Sequence, residues 1–174
     1  QLADDSDVVV NNFRPGVMES LGLGYEHLRK RNPRIIYATG TGFGTSGPMA
    51  ESRKPGHETV AQALTGAMFN NTGEDGVPRR IAMPVSDMTA GNLTVQGILM
   101  ALLARETTGV GQRVEVSLLD GMLWTQAWQI AGAANPLPDG TPQHGANPLD
   151  GGIYRTTTAH IVVTGLFKAN PLAN

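Results

Sequence analysis

Cysteine is absent from all 174 residues. Its absence excludes disulfides, thiolate catalysis and cysteine-ligated zinc, and it fits a reducing compartment, here expected to be the cytoplasm. Charge is also sparse, with 16% charged residues and a formal net charge of -2. No broad basic surface therefore invites nucleic acid or an anionic membrane, and neither is expected as a partner. No apolar run approaches the roughly 18 residues that a membrane-spanning helix needs. QLADDSDVVV has neither the basic start nor the long apolar stretch of a signal peptide. A start methionine is lacking too, and the chain stops at NPLAN just after the strand-like HIVVTGLF. The expectation is an internal piece of a longer protein.

What is present is 40% apolar residue, enough at this length for one domain with a sizeable core. Val8 to Val10 and Arg34 to Gly40 (RIIYATG) read as buried strands by composition and length. Between them Met18, Leu21, Tyr25 and Leu28 recur at three or four residues, which predicts short helical turns. A Gly-rich loop, GTGFGTSGP, follows the second strand, and no helix is expected until about His57. From there to Phe69 the spacing of Val60, Ala61, Leu64 and Met68 predicts a helix. After a turn-rich connector, IAMPVSDM leads into a long helix whose Leu93, Val95, Ile98, Leu99, Leu102 and Leu103 should pack tightly. RVEVS (113–117) alternates like a strand, and LLDGMLWTQAWQIAGAA predicts a further helix. Alternating strands and helices argue for an α/β layered domain with a largely parallel sheet. The expected organisation is a domain over 1–134, a Pro/Gly/Asn-rich linker over 135–152, and the truncated start of a smaller domain over 153–174.

Several segments carry candidate chemistry, each with a plainer reading beside it. GFGTSG (42–47) contains G-x-G-x-x-G after a strand, but Pro48, Ser52 and Pro55 interrupt the helix that a dinucleotide fingerprint requires. A loop lining a pocket is the expectation. Asp87, where the apolar approach meets the long helix, reads as an N-terminal cap or as a carboxylate at a ligand-binding edge. His57 and Glu58 carry the same ambiguity: Glu58 suits a helix start, whereas a protonated His57 there is unfavourable, so it should be neutral or paired. His27, His144 and His160 show no metal spacing, and no metal site is expected. Arg14, Arg53, Lys54, Arg79 and Arg80 lie among Pro and Gly. Exposed basic residues of this kind are commonly just solvated; Arg14 and the Arg53-Lys54 pair stand beside pocket loops, where anion binding is the alternative. Trp124 and Trp128, one helical turn apart, suit core or interface packing.

Taken together, DVVVNNFRPGVMESLGLGYEHLRKRNPRIIYATGTGFGTSGP, KPGHETVAQALTG, SDMTAG and TGVGQRVEVSLLDGM resemble, in order and spacing, the class III CoA-transferases, which include formyl-CoA and carnitine CoA-transferases. The resemblance covers roughly residues 4–130 and weakens from about Asn135. It implies a Rossmann-like large domain, of which this chain is a portion, then a linker and a smaller domain, with two chains interlocked as a homodimer. It implies acyl-CoA and a small carboxylic acid as substrates, with no tightly bound cofactor. The family's catalytic aspartate falls on Asp87, which would attack the thioester, form a mixed anhydride, capture CoA as an aspartyl thioester and release it to the acceptor. Asn12, Phe13 and Arg14 match the segment lining the CoA site, and Lys54 a basic position near the CoA phosphates.

Residue 57 departs from the pattern. Many transferases have Tyr or Phe followed by Asp where His57-Glu58 stands. Gly-His followed by an acid resembles the related α-methylacyl-CoA racemases, in which the histidine and the aspartate, here His57 and Asp87, flank the substrate α-carbon as acid and base. Against that, Met-Thr-Ala-Gly follows Asp87 in place of a Gly-rich stretch, and NFRPG has the transferase form. The transferase reading leads and racemisation is its alternative. A non-catalytic binding or oligomerisation fragment is the third, because the isolated piece is expected to be poorly active.

Overall fold

The computed structural model describes residues 2–52, 54–73, 75–136 and 152–163. The chain forms two compact units, Gln1–Thr125 and Gln126–Asn174. In the first unit, β1 (Val8–Asn11), β2 (Ile36–Thr41) and β3 (Arg113–Ser117) form a sheet in that order, all parallel. Val8 pairs with Ile36, and Tyr37 with Arg113. Parallel neighbours need crossovers. α1 (Val17–Ser20) and α2 (Tyr25–Arg31) cross from β1 to β2. Four helices cross from β2 to β3: α3 (Pro48–Glu51), α4 (Glu58–Leu64), α5 (Ala67–Asn70) and the long α6 (Val85–Thr108). α7 (Leu118–Thr125) follows β3 directly and packs on α6 and α4.

β2 is the central strand, and Ile36, Tyr37 and Ala38 are buried along with the adjoining Ile35. Met18, Leu28, Ile35 and Tyr37 form one core cluster, and Ala61, Ala67 and Met122 a second, covered by Ile81, Val85 and Leu118. Burying a side chain of the Ile or Met class stabilises by about 1.5–3 kcal/mol, so these clusters hold the layers together. Gly111 is required where β3 begins, because a Cβ there would overlap the Ile35 carbonyl oxygen. In the second unit, α8 (Ala127–Ala134) precedes an antiparallel hairpin of β4 (Gly152–Arg155) and β5 (His160–Val163). Most of the predicted linker, 137–151, lies outside the described residues.

The α/β fold with a parallel sheet is as the sequence predicts, but four local expectations are corrected. β1 is an edge of the described sheet, and Val10 is 62% exposed rather than buried. A one-turn helix, α3, interrupts the Gly-rich loop, with Pro48 pre-setting its first turn. The helix expected over 57–69 divides into α4 and α5 at Gly66, whose φ of 77° breaks the run. The helix after β3 divides likewise at Gln126; Trp124 and Trp128 are both exposed, so of the two uses expected for them core packing is not met.

The largest correction concerns α6. Val95, Leu99 and Leu103 are 55%, 60% and 74% exposed. The inward stripe instead runs through Ser86, Ala90, Gly97, Ala101 and Arg105. Small residues win this stripe because the helix lies very close to its neighbours. A Cβ at Gly97 would come within 2.6 Å of Val114 Cγ1, and one at Gly121 of α7 within 3.0 Å of the Ala90 nitrogen. At its far end Arg105 is buried, donating to Asp7 Oδ1 at 2.8 Å and to the Arg34 carbonyl at 3.0 Å. Gly109, with φ of 74°, then stops the helix.

Candidate active site

In an open parallel sheet, ligands bind beyond the carboxyl ends of the strands. Here those ends are Asn11-Asn12, Thr41-Gly42 and Ser117-Leu118. A cavity of about 850 Å³ opens there, walled by Asn11, Asn12, Thr41, Gly42 and Leu118 from the sheet edge and by Asp87, Ala90, Gly91 and Thr94 from α6. His57 and Glu58 also line it. A neighbouring cavity of about 420 Å³ is lined by Asn12, Phe13, Arg14, Gly42, Phe43, Gly44, Lys54 and His57. Asn12, Thr41, Gly42, Gly56 and His57 line both.

The fold thus brings together the seven residues named as candidate catalytic or CoA-binding groups. Asn12, Phe13, Arg14 and Lys54 wall the smaller cavity, Glu58 and Asp87 the larger, and His57 stands between. Gly42 and Gly44 of GFGTSG line the smaller cavity, so the loop borders a pocket as expected. Arg53 and His144 lie outside the described residues, as does the side chain of His160. Arg79 pairs with Asp75 at 2.7 Å, and His27 faces a different cavity. No metal-binding group of His, Cys, Asp or Glu occurs among the described residues.

His57 and Glu58 are neighbours with different tasks. His57 occupies the N-cap position of α4 with extended backbone, and its carbonyl accepts from Val60 and Ala61. Its ring makes no capping bond. The segment reaches the sheet edge because Gly56 packs backbone to backbone on Gly42, so close that a Cβ on Gly56 would come within 2.5 Å of Gly42 Cα.

Glu58 turns instead to the start of α6. Its Oε2 accepts from the Asp87 N–H at 2.8 Å and the Ser86 hydroxyl at 2.9 Å, and its Oε1 from the Ser86 N–H at 3.3 Å. The first N–H groups of a helix lack intrahelical partners and carry its positive end, so a carboxylate is well suited there. Burial pushes the Glu58 carboxyl up, but its hydrogen bonds from Gln62, Asp87 and Ser86 outweigh that and hold it below its ordinary value. Glu58 therefore stabilises the fold above the ordinary carboxylate range, and that contribution is lost as pH falls through its lowered value.

Asp87 is the third residue of α6, after Pro84 at the N-cap and Val85 and Ser86. It is exposed, and its carboxylate accepts no hydrogen bond from the described residues. The capping role belongs to Glu58, not to Asp87. Burial pushes the Asp87 carboxyl above its ordinary value, the negative charge of Glu58 adds to the rise, and His57 opposes it. Two carboxylates whose environments drive them apart are a signature of divided roles: one held ionised in a structural bond, one free and more basic on a cavity wall. A basic, unbonded carboxylate can act as nucleophile or as acid/base group.

Gln62 and Ser86, both 0% exposed, complete the arrangement and were not singled out in the sequence. Gln62 Nε2 donates to Glu58 Oε1 at 2.7 Å. The Glu58-x-x-x-Gln62 spacing at a helix start was the available signal.

Residues 1–170 match the model of CoA-transferase family III. The acetyl-CoA:oxalate CoA-transferase of Acetobacter aceti is 44% identical over 124 residues, 71% of this chain and 31% of that protein. The probable fatty acyl-CoA transferase Rv3272 of Mycobacterium tuberculosis is 35% identical over 178 residues, 94% of this chain and 44% of that protein. A crystal structure of Rv3272 matches with a TM-score of 0.80 at 36% identity, covering 94% of this chain and 44% of that one. A CAIB/BAIF family protein from Brucella suis matches with a TM-score of 0.80 at 29% identity, covering 94% and 43%. The chain spans less than half the length of each of these proteins.

Proposed function

The chain belongs to CoA-transferase family III, and on that premise we propose that the protein moves CoA from an acyl-CoA to a free carboxylic acid, with Asp87 as the nucleophile. The observation that carries this reading is the unbonded, more basic Asp87 carboxylate on the wall of the 850 Å³ cavity, beside the second cavity with its Arg14 and Lys54 cations. An Asp87 oxygen attacks the thioester carbonyl carbon, the C–S bond breaks, and CoA leaves as a thiolate from a mixed anhydride. The thiolate attacks the Asp87 carbonyl carbon, releasing the donor acid and leaving an aspartyl-CoA thioester. The acceptor carboxylate attacks that carbonyl and expels the thiolate. The thiolate then attacks the acceptor's carbonyl carbon, which yields the new acyl-CoA and returns Asp87 as a carboxylate.

Asn12, Phe13, Arg14 and Lys54 would hold CoA, the two cations meeting its phosphates as charge-assisted donors. The oxalate in the name of the Acetobacter relative is an acceptor of the proposed class. Residues 1–134 would form part of the large domain, 135–152 the linker and 153–174 the start of the small domain, in a cytoplasmic homodimer. No helix of the described residues is long and apolar enough to cross a membrane. The test is to give the full-length protein acyl-CoA and then hydroxylamine. An aspartyl hydroxamate at Asp87 is expected, and an unmodified Asp87 peptide from active enzyme would refute the reading.

One observation keeps racemisation as a second reading: His57 and Asp87 line the same cavity. A racemase would exchange the substrate α-proton in heavy water with no acceptor present. For a transferase no exchange is expected, and exchange lost in His57→Ala would transfer the assignment to the racemase.

A further inference from the structure

A fully enclosed amide is costly unless its hydrogen bonds are made, so the use of Gln62 needs a reason that an apolar side chain would not meet. Its bonds supply one. Nε2 donates to Glu58 Oε1 at 2.7 Å and to the Ile81 carbonyl at 3.2 Å, while Oε1 accepts the Ile81 N–H at 2.9 Å. Gln62 therefore ties the Glu58 carboxylate to the segment that leads into α6. Glu58 passes the tie to the backbone of Asp87. The four donors on Glu58 also leave it poorly placed to move protons: both oxygens are committed to Gln62, Ser86 and the Asp87 N–H.

We propose that Gln62 and Glu58 are a positioning pair for CoA transfer: Gln62 fixes the Glu58 carboxylate, and Glu58 holds the first turn of α6 while its charge favours acylation of Asp87. The proposal rests on Asp87 being the nucleophile. Two carboxylates in a partly desolvated site repel each other. When Asp87 becomes an anhydride or thioester it is neutral, and the repulsion from Glu58 disappears. An interaction that is unfavourable in the free enzyme and relieved as the bond forms lowers the barrier. His57, Glu58 and Asp87 are the titratable groups lining the cavity, and Asp120 of α7 is bonded to Ser117. The pH dependence follows from these charges. Asp87 must be ionised to attack, so the rate falls as pH drops through its raised value. Without the charge of Glu58 that value moves down, and the acid limb moves with it.

The experiment measures kcat and KM across acidic to neutral pH for the full-length protein and its Glu58→Gln, Gln62→Met and Gln62→Glu variants. Glu58→Gln, nearly identical in shape, is expected to lower kcat on the order of 10- to 100-fold, with the KM for acyl-CoA nearly unchanged and the acid limb displaced to lower pH. Gln62→Met is expected to lower kcat by about tenfold. In Gln62→Glu the introduced carboxyl can donate to Glu58 only when protonated, so its rate relative to the parent rises as pH falls. A purely structural role would not produce that rescue. Glu58→Gln with unaltered kcat and acid limb overturns the proposal, as do Gln62 variants whose losses follow only the fraction folded in thermal unfolding. Asp87→Ala, run alongside, separates the two failures. If it still transfers CoA at a rate near the parent's, the nucleophile assignment fails. If it does not, while Glu58→Gln behaves as the parent, only the positioning pair fails.

Discussion

Asp87→Ala in the full-length protein is expected to lower kcat for CoA transfer by at least about 10³-fold while acyl-CoA still binds. Every step of the proposed cycle passes through an acyl group on this carboxylate, and alanine offers no substitute. In free energy the loss corresponds to about 4 kcal/mol or more of transition-state stabilisation. Stability should move the other way, if at all. Asp87 is exposed and accepts no hydrogen bond from the described residues, so its side chain anchors nothing there. Its removal also relieves the repulsion that raises its own carboxyl in the presence of Glu58. The backbone N–H of residue 87 still reaches Glu58 in the variant, so the start of α6 is retained. Asp87→Asn, which keeps the shape and removes the charge, should be equally inactive. Steady-state rates, calorimetric CoA binding and thermal unfolding together check the expectation. A variant with a rate within about tenfold of the parent would move the nucleophile elsewhere. An unfolded one would contradict the placement of Asp87 on a cavity wall.

The sheet was legible because its strands are short runs of β-branched and apolar residues between Gly, Pro and Asn, and each crossover carries helical spacing. α6 was legible as a helix but not as a surface. It is apolar on more than one face, so periodicity could not choose the buried stripe. Gly97 and Gly121 chose it, by letting the helix approach β3 and α7 more closely than leucines would allow. The same limit applies at the site. Asp87 could be found by its position at a helix start and by resemblance. What could not be found was the use of Glu58, which caps a helix that begins 27 residues after it. Helix-end reasoning assigns an acid to the helix it sits on, and Glu58 lies in the first turn of α4. Only the tertiary contact of α4 with α6 turns it towards the other helix. The adjacent His57 makes no capping bond and lines both cavities, whereas Glu58 lines the larger one with its carboxylate bonded to the start of α6.

Gly56→Ala is expected to cost the fold about 3 kcal/mol, the upper part of the usual overpacking range. The argument is one of space. Gly56 and Gly42 are not among the glycines with positive φ, so alanine is conformationally allowed at both. A Cβ on Gly56, however, falls 2.5 Å from Gly42 Cα and 3.2 Å from the Phe43 ring, and one on Gly42 falls 3.0 Å from the Gly56 carbonyl carbon. The nearest obstacle in each case is backbone, which has no rotamer to escape into. Relief requires the loop after β2 to separate from the segment before α4, and His57 moves with that segment. Gly91→Ala, in α6 with nothing within 4 Å of its Cβ, is the contrasting case and should gain up to about 1 kcal/mol from helix propensity. Denaturant unfolding of the full-length protein measures both. A Gly56→Ala midpoint equal to the parent's would show that the two loops are not in contact. Combining Gly42→Ala with Gly56→Ala should cost less than the sum, because the first methyl already forces apart the surfaces that the second would strain.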